Sequence, residues 1–361
     1  MRAFTIKSFT IATILLMTFQ GVATANNYDA SKEVAVSLED AEKVVETFIQ
    51  TYSFPESIAQ ITSITPMYDI NDVLIAYYYK FNEQYVLVSA NKEYSPVLAA
   101  SKGGSLEIAE LNSSGKLYYL GGLSAAQALD SEEIINSDED AKLKASSIRD
   151  EGLAKNPNAD ASWNHYLNNS AAKLEVSLTQ KKLTMTTFNQ YGAGVTNQPS
   201  ACGPTTMAAI SEYWRAYRGF SLIPSTYVYG SAANTINHFY NEHGGTVIGM
   251  WVDQMKAGLV LHNGDFYGSA SASTITSYAS YRTEINNNRP VAMKFDKKFT
   301  FFEPDQDYAY PYHWTVGKGY AYNSFDSMVI VNDNTGDSDH QEHFIDFPTN
   351  QPILSLVAFS M

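Results

Sequence analysis

The sequence predicts an α+β protein made of two compositionally different parts. In the first part, apolar side chains recur at helical spacing over residues 41–52, and short strand patterns begin at Val73. In the second part, a stretch rich in Gly and Asn leads into a helix that begins near Cys202. These patterns indicate a mixed α+β protein whose first part is a small α+β domain.

The first part opens with a predicted helix and continues as strands. Ser37, followed by two acidic residues, has the pattern of an N-cap. Three strands are then expected over residues 74–81, 85–90 and 97–100, and the turns between them indicate a hairpin meander. We therefore expect a small α+β domain over residues 26–128.

An acidic segment separates the two parts. Between Asp130 and Glu151 there are eight acids and three bases, with few large apolar side chains. This composition is typical of a solvated, partly helical connector, and an acidic helix packed on one side is the alternative. Residues 129–182 are therefore predicted as a connector and processing region, and residues 183–361 as the second domain.

Length and composition limit the classes of function. The chain has 361 residues, a formal net charge of −14 and 45% hydrophobic residues. This hydrophobic content excludes a disordered or collagen-like protein. The acidic balance argues against a nucleic acid or an anionic membrane held by bulk charge.

The first 25 residues have the pattern of a secretory signal peptide. Arg2 and Lys7 give a basic start, residues 9–19 are apolar, and residues 23–25 (Ala-Thr-Ala) form a small-x-small cleavage site. The apolar stretch is shorter than the roughly 20 residues that a membrane span needs. We expect a secreted protein without stable membrane insertion, with a short membrane anchor as the alternative.

The single cysteine is the first candidate for chemistry. One cysteine excludes an intrachain disulfide, so Cys202 does not staple the fold. Pro204 suits the first turn of a helix, which puts Cys202 at a helix N-terminus. The helix dipole stabilises a thiolate there, so we expect a lowered thiol pKa and a nucleophilic sulfur. The alternative is an inert cysteine in the core.

A thiolate nucleophile also needs a base and a group that orients the base. His313 stands at the start of a predicted strand, and the next strand, residues 328–331, ends at Asn332 and Asp333. Adjacent antiparallel strands would bring His313 beside either of these residues. Each could accept the ring N–H and hold the imidazole for proton exchange with sulfur.

The other histidines are weaker candidates. Four of them are interpreted as surface or loop residues: His165, His238, His243 and His262. A possible cation-binding loop holds His340, His343, Asp333, Asp337 and Asp339. Its spacing matches neither a zincin helix nor a complete EF-hand loop, so we expect no metal and no cofactor.

Three motifs of the second part resemble the papain-like cysteine peptidases, most closely the secreted streptopain family. They are FNQYGAG from residue 188, ACGPTTMAAISEYW from residue 201 and YHWTVGKGY from residue 312. The ACGPTT run is also similar to the relatives that process double-glycine leader peptides. The resemblance implies the papain-like fold, in which the helix that carries the nucleophile packs on an antiparallel sheet or barrel. It also implies Cys202 as nucleophile, His313 as base and Gln190 as the side-chain donor of an oxyanion hole, with Gln198 as the alternative donor.

The tract VNDNTG departs from the family pattern. Papain-like enzymes have Asn before Ser-Trp-Gly at this point, and the leader-processing relatives have Asp. The resemblance therefore implies Asp333 first and Asn332 second as the residue that orients His313.

The first part also resembles the family. Residues 77–104 (YYYKFNEQYVLVSANKEYSPVLAASKGG) are similar to the propeptide of streptopain-type zymogens. The two resemblances together imply a secreted cysteine endopeptidase made as a zymogen, with a peptide or protein substrate and its own propeptide as intramolecular inhibitor. The alternatives are an acyltransferase or amidase of the same fold and a non-catalytic exported binding protein that uses the aromatic residues of the segment 299–312.

Overall fold

The computed structural model describes ten stretches of the chain: residues 34–54, 61–68, 74–81, 84–102, 117–118, 155–168, 177–245, 250–295, 313–334 and 342–361. The predicted signal peptide, the acidic residues 130–151 and the aromatic segment 299–312 lie outside them.

Eight α-helices lie within the described residues. They are α1 (Leu38–Thr51), α2 (Ala159–Asn168), α3 (Cys202–Arg218), α4 (Thr226–Tyr229), α5 (Ala232–Glu242), α6 (Val252–Tyr267), α7 (Tyr278–Asn286) and α8 (Phe347–Asn350). Two 3-10 turns, Gln198–Ser200 and Gln351–Ile353, precede α3 and follow α8. None of the helices seen in these stretches is both long enough and apolar enough to cross a membrane.

Twelve strands of the described chain form one sheet. They are β1 (Ser63–Tyr68), β2 (Leu74–Phe81), β3 (Gln84–Ser89), β4 (Val97–Ser101), β5 (Leu117–Tyr118), β6 (Thr179–Lys182), β7 (Ser271–Ile275), β8 (Val291–Phe295), β9 (His313–Tyr322), β10 (Ser327–Asn332), β11 (Glu342–Asp346) and β12 (Leu354–Ser360). Their order is β5-β1-β2-β3-β4-β11-β10-β9-β8-β12-β7, and β6 pairs with β9. The β1–β5 pair is parallel and the other pairs are antiparallel, which confirms the predicted α+β class.

Alternating side chains of the sheet build a core on each face. In β3, Leu87 belongs to the cluster that includes the buried side of α3, whereas Val86 and Val88 pack in the cluster that includes α1. Successive side chains of a strand point to opposite faces, so one run of apolar residues serves both cores. The sheet is therefore covered on both faces in this region.

The local predictions for the first part are confirmed. The Ser37 hydroxyl accepts a hydrogen bond from the Asp40 N–H at 3.1 Å, as an N-cap should. Strands β2, β3 and β4 match the predicted runs to within one residue at each end.

The two parts of the chain share the sheet. Strand β4 pairs with β11, with Ala100 opposite Phe344. Part of the predicted connector is packed as well, because Tyr166 of α2 is buried and donates to Asp326 at 2.8 Å. Lys181 and Lys182, at the end of the predicted processing region, lie in β6, where backbone pairing with β9 holds them. The predicted domain boundaries remain a prediction.

Asp346 gives the fold a pH dependence that can be tested. This carboxylate is buried at the end of β11 and accepts from the Thr349 N–H at 2.9 Å, and burial raises its pKa to about 7. An unfolded aspartate has a pKa of about 3.9, so the folded chain holds one more proton between these values. The contribution of Asp346 to stability is therefore present at low pH and is lost as the pH rises through about 7.

We expect wild type to lose about 2–3 kcal/mol of unfolding free energy relative to Asp346→Asn between pH 5 and pH 8. Urea denaturation of both proteins at each pH measures this difference. A constant difference across the range would contradict the assignment, since groups common to both proteins cancel.

Candidate active site

Cys202 is the first residue of α3 and is 4% exposed. The helix begins there as predicted. Ala201 at the N-cap makes no side-chain hydrogen bond, so no cap competes for the first N–H groups of the helix. The next residue, Gly203, lies against Met250, and a Cβ at this glycine would be 2.8 Å from the Cβ of Met250. A residue without a side chain is therefore needed directly after the cysteine.

The pKa of the Cys202 thiol is raised, so the predicted lowering is wrong for this structure. Burial is the largest cause. Main-chain hydrogen bonds from Trp314 and Gly203 and the positive charge of Lys294 act in the opposite direction. Loss of hydration thus outweighs the favourable helix N-terminus. The groups that would stabilise a thiolate are in place, and burial of the sulfur opposes them.

His313 is buried at the first position of β9. Its Nε2 lies 2.6 Å from the main-chain oxygen of Asp333, just beyond the end of β10. A carbonyl oxygen only accepts, so Nε2 carries the hydrogen and Nδ1 keeps a lone pair. The next residue, Trp314, is the one whose main chain bonds to the sulfur of Cys202. The predicted placement of His313 beside the end of the neighbouring strand is confirmed.

The side chains expected to orient His313 are engaged differently. The carboxylate of Asp333 pairs with His343, with 2.8 Å between Oδ2 and Nε2, and both side chains are 3% exposed. The amide of Asn332 is buried, and neither of its polar atoms has a hydrogen-bond partner within the described chain. The main-chain carbonyl of Asp333 is thus the observed contact of His313, and an orienting role for either side chain remains a prediction.

His343 also connects the site to the first part of the chain. The hydroxyl of Tyr85, on β3, lies 2.9 Å from its Nδ1. Contacts therefore run from Tyr85 through His343 and Asp333 to His313. His343, one of the residues of the possible cation-binding loop, pairs with Asp333, and residues 335–341 of that loop lie outside the described chain.

Gln190 is fully buried close to the start of α3. Its Nε2 donates to the Tyr191 hydroxyl at 2.7 Å and to the Gln198 carbonyl at 3.2 Å. The Gln198 side chain in turn donates to the carbonyls of Tyr191 and Gly192. Both predicted oxyanion donors therefore use their amide hydrogens within one loop. Gln190 would have to exchange a partner before it could bind an oxyanion.

Asn334 is a site residue that sequence analysis missed. Its Nδ2 donates to the Thr206 hydroxyl of α3 at 2.7 Å and to the Trp314 carbonyl of β9 at 3.2 Å. The main-chain carbonyl of Asn334 accepts a hydrogen bond from the main-chain N–H of Gln190 at 2.9 Å. The residue has a φ of +66°, a region that Asn enters more readily than most residues. The sequence signal that could have identified this residue is an asparagine just after the end of a predicted strand.

The surface or loop interpretation is wrong for the buried helical residues His165 and His262, whereas His243 lies in a turn. His165 is buried in α2, where its ring stacks on Phe325 with 4.0 Å between centroids. His262 is buried in α6, and His238 and His243 are half-buried at α5. Residues distant in the sequence pack against these rings, and the spacing of residues along the chain does not encode those contacts.

Residues 182–350 match the model of the Peptidase_C39 like family. The matched region is slightly less than half of the chain and contains Cys202 and His313. It supports a cysteine peptidase, a hydrolase that acts on peptides. No match was found among curated proteins.

Several solved structures resemble the chain. A protein described as a C39-like peptidase from Bacillus anthracis is 12% identical, with a TM-score of 0.34, and the likeness covers 51% of this chain and 98% of that one. A prointerpain A fragment from Prevotella intermedia is 13% identical, with a TM-score of 0.43 and coverage of 82% and 97%. A procathepsin L from the Tenebrio molitor larval midgut is 11% identical, with a TM-score of 0.29 and coverage of 66% and 91%. With TM-scores below 0.5, these likenesses decide nothing about the activity of this chain.

The pair formed by Asp333 and His343 should be a major contributor to stability. His343→Ala removes the hydrogen-bonding partner of a buried carboxylate and leaves that carboxylate unpaired, and we expect the free energy of unfolding to fall by about 3–5 kcal/mol. Tyr85→Phe removes only one hydrogen bond to His343, and we expect a loss of about 1 kcal/mol. Urea denaturation of the full chain measures both values.

Tyr227→Phe is the matched control, because Tyr227 is 89% exposed and its substitution should change little. A loss in His343→Ala no larger than that in Tyr227→Phe would show that the pair does not stabilise the fold.

Proposed function

We propose that the chain is a cysteine endopeptidase in which Cys202 is the nucleophile and His313 is the acid and base. One observation carries this proposal. The first turn of α3 meets the start of β9, where Trp314 bonds to the sulfur and the residue before it is a histidine held through Nε2. The family match over residues 182–350 supports the same chemistry.

The proposed reaction has two stages. His313 takes the proton of the Cys202 thiol, the sulfur attacks the peptide carbonyl carbon, and the main-chain N–H of Cys202 and the amide of Gln190 stabilise the developing oxyanion. His313 then gives that proton to the leaving amine as the C–N bond breaks, and a thioester remains on sulfur. In the second stage His313 takes a proton from water as the water oxygen attacks the thioester; the C–S bond then breaks, the carboxylic acid product leaves, and His313 returns the proton to sulfur.

We further propose that the first part of the chain restrains the enzyme as a propeptide until it is cut away. Burial of Cys202 and its raised pKa suit a restrained precursor. Strand β4 adds the first part to the sheet beside β11, and Tyr85 contacts His343, the partner of Asp333. Secretion through residues 1–25 belongs to the same proposal, as does cleavage before α3.

Cys202→Ser and His313→Ala should each lower hydrolysis of a denatured protein substrate by at least about 1,000-fold, since the two groups act as a unit. If maturation is autocatalytic, both variants should also remain as the full precursor on a gel. His165→Gln is the matched control, because this histidine is equally buried but lies in α2.

Circular dichroism should show that each variant is folded. Undiminished hydrolysis by folded Cys202→Ser would overturn the proposal. Products conjugated to an added amine in place of free acids would assign the same site to an acyltransferase.

Gln190→Ala tests the oxyanion hole separately. We expect kcat to fall about 100- to 1,000-fold with little change in KM, because the lost hydrogen bond forms to the developing charge. Gln198→Ala should lower kcat much less. The reverse ranking would assign the oxyanion role to Gln198, and equal small effects would exclude both side chains from it.

A further inference from the structure

Three histidines meet between α5 and α6. His238 lies on α5, His243 is the residue that ends it, and His262 lies on α6. One ring nitrogen can be chosen from each so that all three lie within 4.8 Å of one another. His243 Nε2 is 3.2 Å from His238 Nε2 and 3.3 Å from His262 Nδ1. The proposed peptidase chemistry uses none of these rings.

The protonation of these rings leaves lone pairs facing one another. His262 Nε2 lies 3.4 Å from the carbonyl oxygen of Pro224, which can only accept, so Nε2 carries the hydrogen of this ring. His262 Nδ1 therefore presents a lone pair to His243. A neutral His243 has at most one hydrogen on Nε2, and that hydrogen would have to serve both of its neighbours. Hydrogen bonding alone satisfies this arrangement poorly.

The distances suit a metal ion. In a tetrahedral zinc site with Zn–N bonds of about 2.0–2.1 Å, ligand nitrogens lie about 3.3–3.4 Å apart. The two contacts of His243 Nε2 are close to that separation. The contact between His262 Nε2 and Pro224 is the kind of second contact that fixes the ring of a metal-binding histidine.

Aromatic side chains hold the rings in place. The ring of Tyr229 stacks on His238 at 4.4 Å, and Phe239 lies 4.3 Å from His262, measured between centroids.

The cluster lies beside α3. At Gly258 of α6, a Cβ would be 2.6 Å from the sulfur of Met207 and 2.8 Å from the carbonyl oxygen of His243. The absence of a side chain lets α6 approach both α3 and the end of α5. An ion bound to the three rings would tie α5 to α6 next to the helix that begins with Cys202.

We propose that His238, His243 and His262 bind one divalent transition-metal ion, with Zn²⁺ as the best fit and water as the fourth ligand. Imidazole nitrogens suit zinc, copper and nickel, whereas calcium and magnesium require oxygen ligands. The role of the ion is structural, as a tie between α5 and α6. This site and the proposed peptidase activity stand or fall independently.

The test uses the full chain with Cys202→Ala, so that the thiol cannot bind metal. Equilibrium dialysis with elemental analysis should find one tightly bound Zn²⁺ per chain. Zinc at about 100 times its Kd should raise the Tm by about 5 °C, and calcium or magnesium should leave it unchanged. Cobalt in place of zinc should give the intense visible absorption of a tetrahedral complex.

In the same background, His238→Ala and His262→Ala should each weaken zinc binding at least about 100-fold. His238 is half-exposed, so its variant should fold even if that of the buried His262 does not. His165→Gln is the matched control, because this histidine lies in α2, outside the cluster, and the variant should bind like the parent. Absence of bound zinc, binding that survives loss of His238, or binding lost with His165 would each overturn the proposal.

Discussion

The packing of α3 against β9 is the constraint on which the candidate site depends. Asn334 bonds to a hydroxyl of the helix and to a carbonyl of the strand, so the two elements are held in register at one end. The indole of Trp314 also donates at 2.8 Å to the carbonyl of Met250, whose side chain lies against Gly203 of the helix. Cys202 begins α3 and His313 begins β9, and the main chain of Trp314, the residue after His313, acts on the sulfur of Cys202, so this packing brings the start of the helix to the start of the strand.

Features written in short stretches of sequence were predictable. Ser37, Pro204 and the strand patterns each act over a few residues, and the structure has the expected helices and strands at those places. The position of His313 beside the end of β10 followed from one further rule, that adjacent antiparallel strands lie side by side. Local sequence patterns and one rule of strand pairing were therefore enough to predict most of the fold near the site.

Features that depend on packing were not predictable. The pKa of Cys202 follows from what covers the sulfur, and the helix position alone gave the wrong direction. The partner of Asp333 is His343, ten residues away on β11, and strand pairing decides that contact. The cluster of His238, His243 and His262 needs two helices to cross at a particular place. Spacing along a chain does not encode such a crossing.

The shared sheet determines how the first part could dissociate if the chain were cleaved between the two parts. Strand β4 is joined to β11 through main-chain pairing over residues 99–101, and apolar side chains of both parts share each core. Cleavage of the connector alone would not release the first part, because the pairing of β4 with β11 and the apolar contacts between the two parts must also be broken. After cleavage the first part would remain bound as a non-covalent subunit, and its dissociation would be as slow as an unfolding step. Its dissociation would leave β11 as an unpaired edge strand, which could pair with another extended chain.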